Sequence, residues 1–344
     1  MYEIPPPRSD GAITGTREKL PWPSNKPFRI LAIDGGGIRG IYPAAFLAEL
    51  EQNFLGGRSV GEYFDLIAGT STGGIIALGL GKGLTAADIT QMYLRNGERI
   101  FPAYGKIGQS LRYVRRLFSS GYDVENLRRE LQTVLQETRL GESRIRLCIP
   151  AFEGIYGEPW IYKTPHHPDY SRDKTTDMVT VGIATAAAPT YLRALEDNGY
   201  VMVDGGLVAN NPIMVAIVDA LACHKVDRCQ IQVLSIGCGS KSFEVSKRQR
   251  SGGLWHWKEA VVAAMNASSA NALGQACLLI GADHVIRIEP SEGANIKLDD
   301  VVEAKRALPN AAKKDVEKIG QTVAAKFFTK PAGHLTTYAP YLPR

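Results

Sequence analysis

Ser71 stands at the centre of Gly69-Thr70-Ser71-Thr72-Gly73, directly after the apolar run Tyr63-Phe64-Asp65-Leu66-Ile67-Ala68. A serine at a sharp strand-to-helix turn keeps its hydroxyl exposed, and flanking glycines accept backbone angles that a Cβ forbids. The following run, Gly74-Ile75-Ile76-Ala77-Leu78, can open a helix whose N-terminal dipole favours negative charge. Upstream, Asp34-Gly35-Gly36-Gly37-Ile38-Arg39-Gly40 follows a second apolar run. Downstream, Asp204-Gly205-Gly206 follows Tyr200-Val201-Met202-Val203. Acyl transfer needs a nucleophile, a base and donors for the developing oxyanion, and each has a candidate here.

Serine is a poor nucleophile until a base takes its proton. Asp204 ends a strand beside two glycines, so its carboxylate can approach the serine turn with little obstruction. An ordinary aspartate, with a pKa of about 3.9, is a weak base, and burial or a hydrogen-bonded partner must raise it. His224, His256, His284 and His334 satisfy the chain order of a Ser-Asp-His triad, but none stands in an informative motif. The turn from Gly35 to Gly40 can aim successive N–H groups into one concavity, with Arg39 anchoring the loop rather than facing substrate. Read as a dinucleotide-binding fingerprint, the same loop fits poorly, because no acidic residue ends the next strand at the required distance. His166 and His167 lack a third ligand at metal spacing, so no metal is expected.

Those residues need a scaffold of alternating strands and helices. Strands are predicted at Phe28 to Ile33, before Ser71, at Arg144 to Ala151, near Trp160 to Lys163, at Val201 to Val203, Ile231 to Ile236 and His284 to Ile288. Helices are predicted through Phe46, Leu47, Leu50 and Phe54, after Ser71, at Val179 to Ala188, at Pro212 to Cys223 and beyond residue 290. The stretch from Ala86 to Leu140 is mainly helical, with turn signals at Gly97, Gly105 and Gly121. This alternation implies an α/β fold, a mainly parallel central sheet sandwiched by helices in three layers. We expect a proline-rich arm over 1–27, the main domain over 28–290 and a helical extension over 291–344 packed on it.

With 40 basic against 35 acidic residues, the net charge of +5 is too small to imply a nucleic-acid polymer, though it suits an anionic partner. The five cysteines have no CxxC spacing and imply reduced thiols, which with the lack of an apolar leader points to the cytoplasm. Val261 to Ala282 is uncharged, but Asn266, Ser268, Ser269, Asn271 and Gln275 speak against a membrane span and for a helix buried in the protein. Two basic-aromatic segments are candidates for lipid or activator contact: Ser110 to Tyr122, with Arg112, Arg115 and Arg116, and the loop Lys241 to Arg250 before Trp255 and Trp257. A solvated helix face and an ordinary loop explain them equally simply.

The three motifs, in this order, resemble those of the patatin-like phospholipases, and Ala186 to Tyr191 and Asn210-Asn211-Pro212 support the likeness. The resemblance implies a patatin-like three-layer fold, Ser71 and Asp204 as a catalytic dyad without histidine, and an oxyanion hole from Gly36, Gly37 and Arg39. Gly35, Gly40, Gly69, Gly73, Gly205 and Gly206 complete the motifs. It also implies release of fatty acids from membrane phospholipids through an acyl-enzyme, at the inner face of the cell membrane. Lys163 to Pro168 and Gly252 to Trp257 further resemble the phospholipase effectors of bacterial cyclic-oligonucleotide anti-phage signalling (CBASS). That likeness implies activation by a cyclic dinucleotide such as cGAMP. A soluble esterase with a histidine triad and an idle cyclic-nucleotide sensor are the rival readings; homo-oligomerisation stays open.

Overall fold

The computed structural model describes residues 17–100, 122–189, 191–239, 260–333 and 335. Its centre is an eight-stranded sheet in the order β5-β6-β3-β2-β1-β7-β8, with β4 on the far edge of β3. The strands are β1 (Phe28–Ile33), β2 (Leu66–Gly69), β3 (Arg146–Glu153), β4 (Glu158–Lys163), β5 (Leu195–Asp197), β6 (Tyr200–Asp204), β7 (Ile231–Ile236) and β8 (Val285–Ile288). The helices are α1 (Ile41–Phe54), α2 (Thr72–Lys82), α3 (Ala86–Ile100), α4 (Val124–Leu135), α5 (Met178–Ala186), the single turn α6 (Gly206–Ala209), α7 (Ile213–Cys223), α8 (Ala260–Ile280) and α9 (Val301–Phe327).

β1 is buried along its whole length, as a central parallel strand covered on both faces must be. Leu31 and Ile33 point into the core shared by α1, α2, α5 and α9, while Phe28, Ile30 and Ala32 point into a second core under α7 and α8. The result is the expected three-layer arrangement. Pairings β1–β2, β1–β7, β2–β3 and β7–β8 are parallel. The pairings of β3 with β4 and β6, and of β5 with β6, are antiparallel.

The register around β3 decides where chemistry can happen. One edge of β3 is taken by β4 along Cys148 to Glu153. The other edge is shared: β2 occupies Arg146 to Cys148, and β6 occupies Ala151 to Glu153 in the opposite direction. The two strands therefore run toward each other along one edge, and their carboxyl ends, leading to Ser71 and ending at Asp204, meet.

Two sequence expectations fail. Gly97 marks no turn but lies inside α3, where a Cβ would stand 3.0 Å from Ile38 Cδ1 and 3.1 Å from Val301 Cγ1, so the glycine allows close helix packing. The α8 helix is not buried: among its described side chains only Ala276 and Ile280 are, and Leu278 is 88% exposed. Absence of charge there reflects small and amide side chains facing outward, not enclosure. Among the described residues no helix is long and apolar enough to cross a membrane. Gly105, Gly121, the Arg112 to Arg116 cluster, Lys241 to Arg250, Trp255, Trp257, His256 and His334 lie outside the described residues.

His224 follows α7 at the end of the sheet opposite Ser71, with its ring 5.4 Å from both Trp22 and Phe28. Among the described residues neither of its ring nitrogens has a hydrogen-bond partner. Burial, reinforced by Arg146, lowers its pKa to about 4. The unfolded ring titrates near 6.5, so the stability tied to the neutral ring is complete above pH ~6.5 and is lost as pH falls toward 4. Urea midpoints at pH 7 and pH 5 should therefore fall more for the parent than for His224→Phe; parallel falls would remove His224 from the acid sensitivity.

Candidate active site

Ser71 sits between β2 and α2 with φ 55° and ψ −122°, a conformation that L-residues rarely hold without enforcement. Enforcement comes from close backbone packing. A Cβ on Gly69 would overlap the Gly73 carbonyl, and one on Gly73 would overlap the Ile33 carbonyl at the end of β1. The Ser71 N–H donates to Thr185 Oγ1 at 2.9 Å, and Thr185 donates to the Pro150 carbonyl at 2.6 Å. Thr70 Oγ1 bonds the Ala209 carbonyl at 2.6 Å. The serine turn is thus fixed from α5, β3 and α6 together.

Ser71 Oγ donates to Asp204 Oδ2 at 2.8 Å. The other carboxylate oxygen accepts the Gly206 N–H at 2.6 Å. Asp204 is 6% exposed, and burial raises its pKa to about 6, against the opposing pull of the Gly206 N–H and the Ser71 hydroxyl. Gly205 follows in a space that a Cβ would fill with the Pro150 carbonyl. The raised basicity the sequence called for is present, and it comes from desolvation.

The glycine loop lies against the serine: a Cβ at Gly35 would be 3.2 Å from Ser71 Cβ. Its N–H groups divide into two sets. Those of Gly35, Ile38 and Arg39 are bound to the carbonyls of Asn210 (3.1 Å), Leu298 (2.9 Å) and Gly36 (3.2 Å). Those of Gly36 and Gly37 have no hydrogen-bond acceptor among the described residues, and both are therefore available to an oxygen anion. Gly37 has φ 57°, and a Cβ there would stand 2.5 Å from the Leu298 carbonyl. Arg39 is largely enclosed, which lowers its pKa, and its Nε donates to the Gly36 carbonyl at 3.4 Å, an anchoring contact on its own loop.

Neither described candidate histidine is near. His284 Nδ1 bonds the Ile231 carbonyl at the start of β7, level with Phe28 and about 16 Å of strand away from the dyad's end of the sheet. His224 is at the same far end, and among the described residues Asp204 has no imidazole partner.

His166 does gain ligand-type neighbours that sequence spacing could not show. Cys148 of β3 and Asp219 of α7 bring ligand atoms within 4.8 Å of it and of one another. Asp219 is already saturated by Lys163 Nζ (2.6 Å), His166 Nε2 (2.8 Å) and Tyr170 OH (2.8 Å). This is a hydrogen-bonded tie between β4, α7 and the loop after β4.

With two N–H groups that have no acceptor among the described residues, on a loop that abuts a serine–aspartate pair, the arrangement can form and break an acyl-serine. Residues 31–217 match the Patatin family, described as patatin-like phospholipase. The chain belongs to that family. A phospholipase family is one of carboxylic ester hydrolases. The chain is 30% identical to a cGAMP-activated phospholipase of Vibrio cholerae over 332 residues, covering 88% of this chain and 92% of that one. It is 36% identical to another cGAMP-activated phospholipase, of Pseudomonas aeruginosa, over 212 residues covering 61% and 62% of the two chains. The crystal structure of VipD from Legionella pneumophila aligns with 87% of this chain and 67% of its own at 14% identity and a TM-score of 0.45.

Thr185 had no sequence signal beyond its place in a small-residue helix, yet it holds the Ser71 backbone. Thr185→Val leaves the Ser71 N–H unpaired and should cost about 1–3 kcal/mol in urea unfolding. It should also slow covalent labelling of Ser71 by a fluorophosphonate at least tenfold, while Thr185→Ser retains most of the rate. Equal labelling rates for the valine and serine variants would show that this bond does not position the nucleophile.

Proposed function

We propose that the protein releases fatty acids from membrane phospholipids, with Ser71 as nucleophile and Asp204 as the sole general base. The observation that carries this reading is the 2.8 Å hydrogen bond from Ser71 to a buried carboxylate with pKa about 6. Asp204 takes the Ser71 proton as Oγ attacks the ester carbonyl carbon. The carbonyl oxygen becomes an oxyanion against the Gly36 and Gly37 N–H groups, the kind of donor whose loss typically costs about 10²–10³ in rate. Collapse breaks the ester C–O bond, and Asp204 returns its proton to the departing lysophospholipid alkoxide. Water, deprotonated by the same carboxylate, then attacks the acyl carbon; the bond to Ser71 Oγ breaks, Asp204 returns the proton to Oγ, and the fatty acid leaves. Arg39 supports this loop without touching the reacting atoms.

Regulation by a cyclic dinucleotide belongs to the same proposal, supported by the names of the Vibrio and Pseudomonas relatives and by the sequence resemblance to anti-phage effectors. An enzyme that degrades membrane lipid in the cytoplasm, at the inner face of the cell membrane, must be idle until signalled. Moving a population from 1:99 to 99:1 needs about 5.5 kcal/mol of preferential binding to the active form. A dianionic dinucleotide can supply that through arginine pairs and base stacking.

Fatty-acid release from phospholipid vesicles tests both parts. With Asp204 as base, the rate is flat above pH ~6 and falls about tenfold per unit below it, because protonation removes the base. Asp204→Asn should abolish turnover nearly as fully as Ser71→Ala, and the two together should be no worse than either. Because a raised folded pKa means ionisation of Asp204 opposes folding as pH rises through about 6, Asp204→Asn should also raise the thermal midpoint at pH 8 but not at pH 4. Retention of more than about a tenth of parental turnover by either variant would overturn the dyad.

For the activator, 3′,3′-cGAMP and its 2′,3′ isomer, each added to vesicles and protein, should raise release at least tenfold for one of them. Full release without nucleotide, together with no heat of binding at micromolar concentration, would remove the regulation and leave the hydrolase.

A further inference from the structure

Gly35, Gly36 and Gly37 have no side chains to orient them, so their direction is set by the buried residues on either side, Asp34 and Ile38. At the far end the Ile38 N–H is held by the Leu298 carbonyl. At the near end stands Asp34, 4% exposed. Its partner comes from the edge of the sheet. Register places Ala32 beside Ser235 and Ser235 beside Arg287, so Arg287 of β8 reaches across β7 to the end of β1.

Arg287 Nη1 donates to Asp34 Oδ1 at 3.0 Å and to Ser235 Oγ at 2.7 Å. Nη2 donates to Asp34 Oδ2 at 2.6 Å and to Glu289 Oε1, and Nε donates to Glu289 Oε1 at 3.0 Å. A guanidinium has five N–H groups, and here each has an acceptor in a planar fork that no other side chain reproduces. Gly237 leaves the space this fork needs, since a Cβ there would stand 2.6 Å from Nη2. The Asp34 carbonyl, in turn, lies 2.7 Å from where a Cβ on Gly73 would be, so the clamped residue also touches the serine turn.

We propose that Arg287 is a positioning residue for the oxyanion pocket: by locking Asp34 bidentately it fixes the direction of the Gly36 and Gly37 N–H groups relative to Ser71. The inference rests on the reading of those two groups as oxyanion donors. It also gives β8, which lies beyond the 31–217 family match, a part in the chemistry. The clamp works at a distance, since Arg287 touches neither Ser71 nor Asp204.

The test uses the full chain with Arg287→Ala, Arg287→Lys and Asp204→Asn. Three readouts are taken: the rate of Ser71 labelling by a fluorophosphonate, kcat and KM for a short-chain p-nitrophenyl ester, and amide hydrogen exchange over residues 34–40. Arg287→Ala should label at least tenfold more slowly, lose kcat with KM changed less than twofold, and exchange at least tenfold faster over 34–40. Exchange in Thr72 to Lys82 should stay parental. Lysine, a point charge without the fork, should recover less than a third of the loss, whereas added methylguanidinium should partly rescue the alanine variant. Parental labelling and parental exchange in Arg287→Lys or a folded Arg287→Ala would overturn the clamp. If Asp204→Asn labels as fast as the parent, the hydrolase reading fails instead, and the exchange measurement still decides whether Arg287 orders the loop.

Discussion

The hydrogen bond between Ser71 and Asp204 joins residues 133 positions apart, and most of the architecture can be understood as the condition for its existence. Neither partner is held by its sequence neighbours alone: Ser71 also rests on Thr185, and Asp204 on Ser71 itself. The bond requires β2 and β6 to share one edge of β3 and to end facing each other, which in turn requires β2 to pair with β3 in parallel and β6 to pair with it antiparallel. The serine must also hold a positive φ, which the backbone contacts of Gly69 and Gly73 impose. Given those constraints, a hydroxyl and a carboxylate meet at 2.8 Å without an imidazole between them.

Two buried aspartates flank this meeting point, and both have pKa values near 6 because burial dominates. Their surroundings give them different work. Asp34 is bound through both oxygens to a guanidinium, so its charge is committed to holding a loop. Asp204 has one neutral N–H and the serine hydroxyl for partners, so its charge remains available to a proton. Separation of a structural carboxylate from a basic one by the presence or absence of a single arginine is the electrostatic logic of the site.

Much of this was legible in the sequence. Ser71, Asp204 and the glycine loop announce themselves because turns that bring backbone close to backbone must be written in glycine. The fully buried run of β1 and the helical spacing of Phe46, Leu47, Leu50 and Phe54 in α1 likewise show as pattern. What was hidden is what tertiary context alone decides. Thr185 looks like any small helix residue until its hydroxyl is seen on the Ser71 N–H. Arg287 looks like a charged residue on an edge strand, and its role depends on a register that places it two strands from Asp34. Gly97 was misleading because glycine permits close helix packing as well as turns. The uncharged α8 misled because lack of charge follows from small polar residues as well as from burial.

The central claim is that Ser71 carries the acyl group through the reaction. Protein mixed with excess ester substrate, quenched in acid within milliseconds and examined by intact mass and peptide mapping, tests it directly. The account predicts an adduct of the acyl mass on the peptide containing Ser71, formed before steady state and absent from Ser71→Ala. An acyl adduct on another side chain, or turnover at the parental rate with no adduct at any quench time even in Asp204→Glu or at low pH where deacylation is slowed, would contradict it.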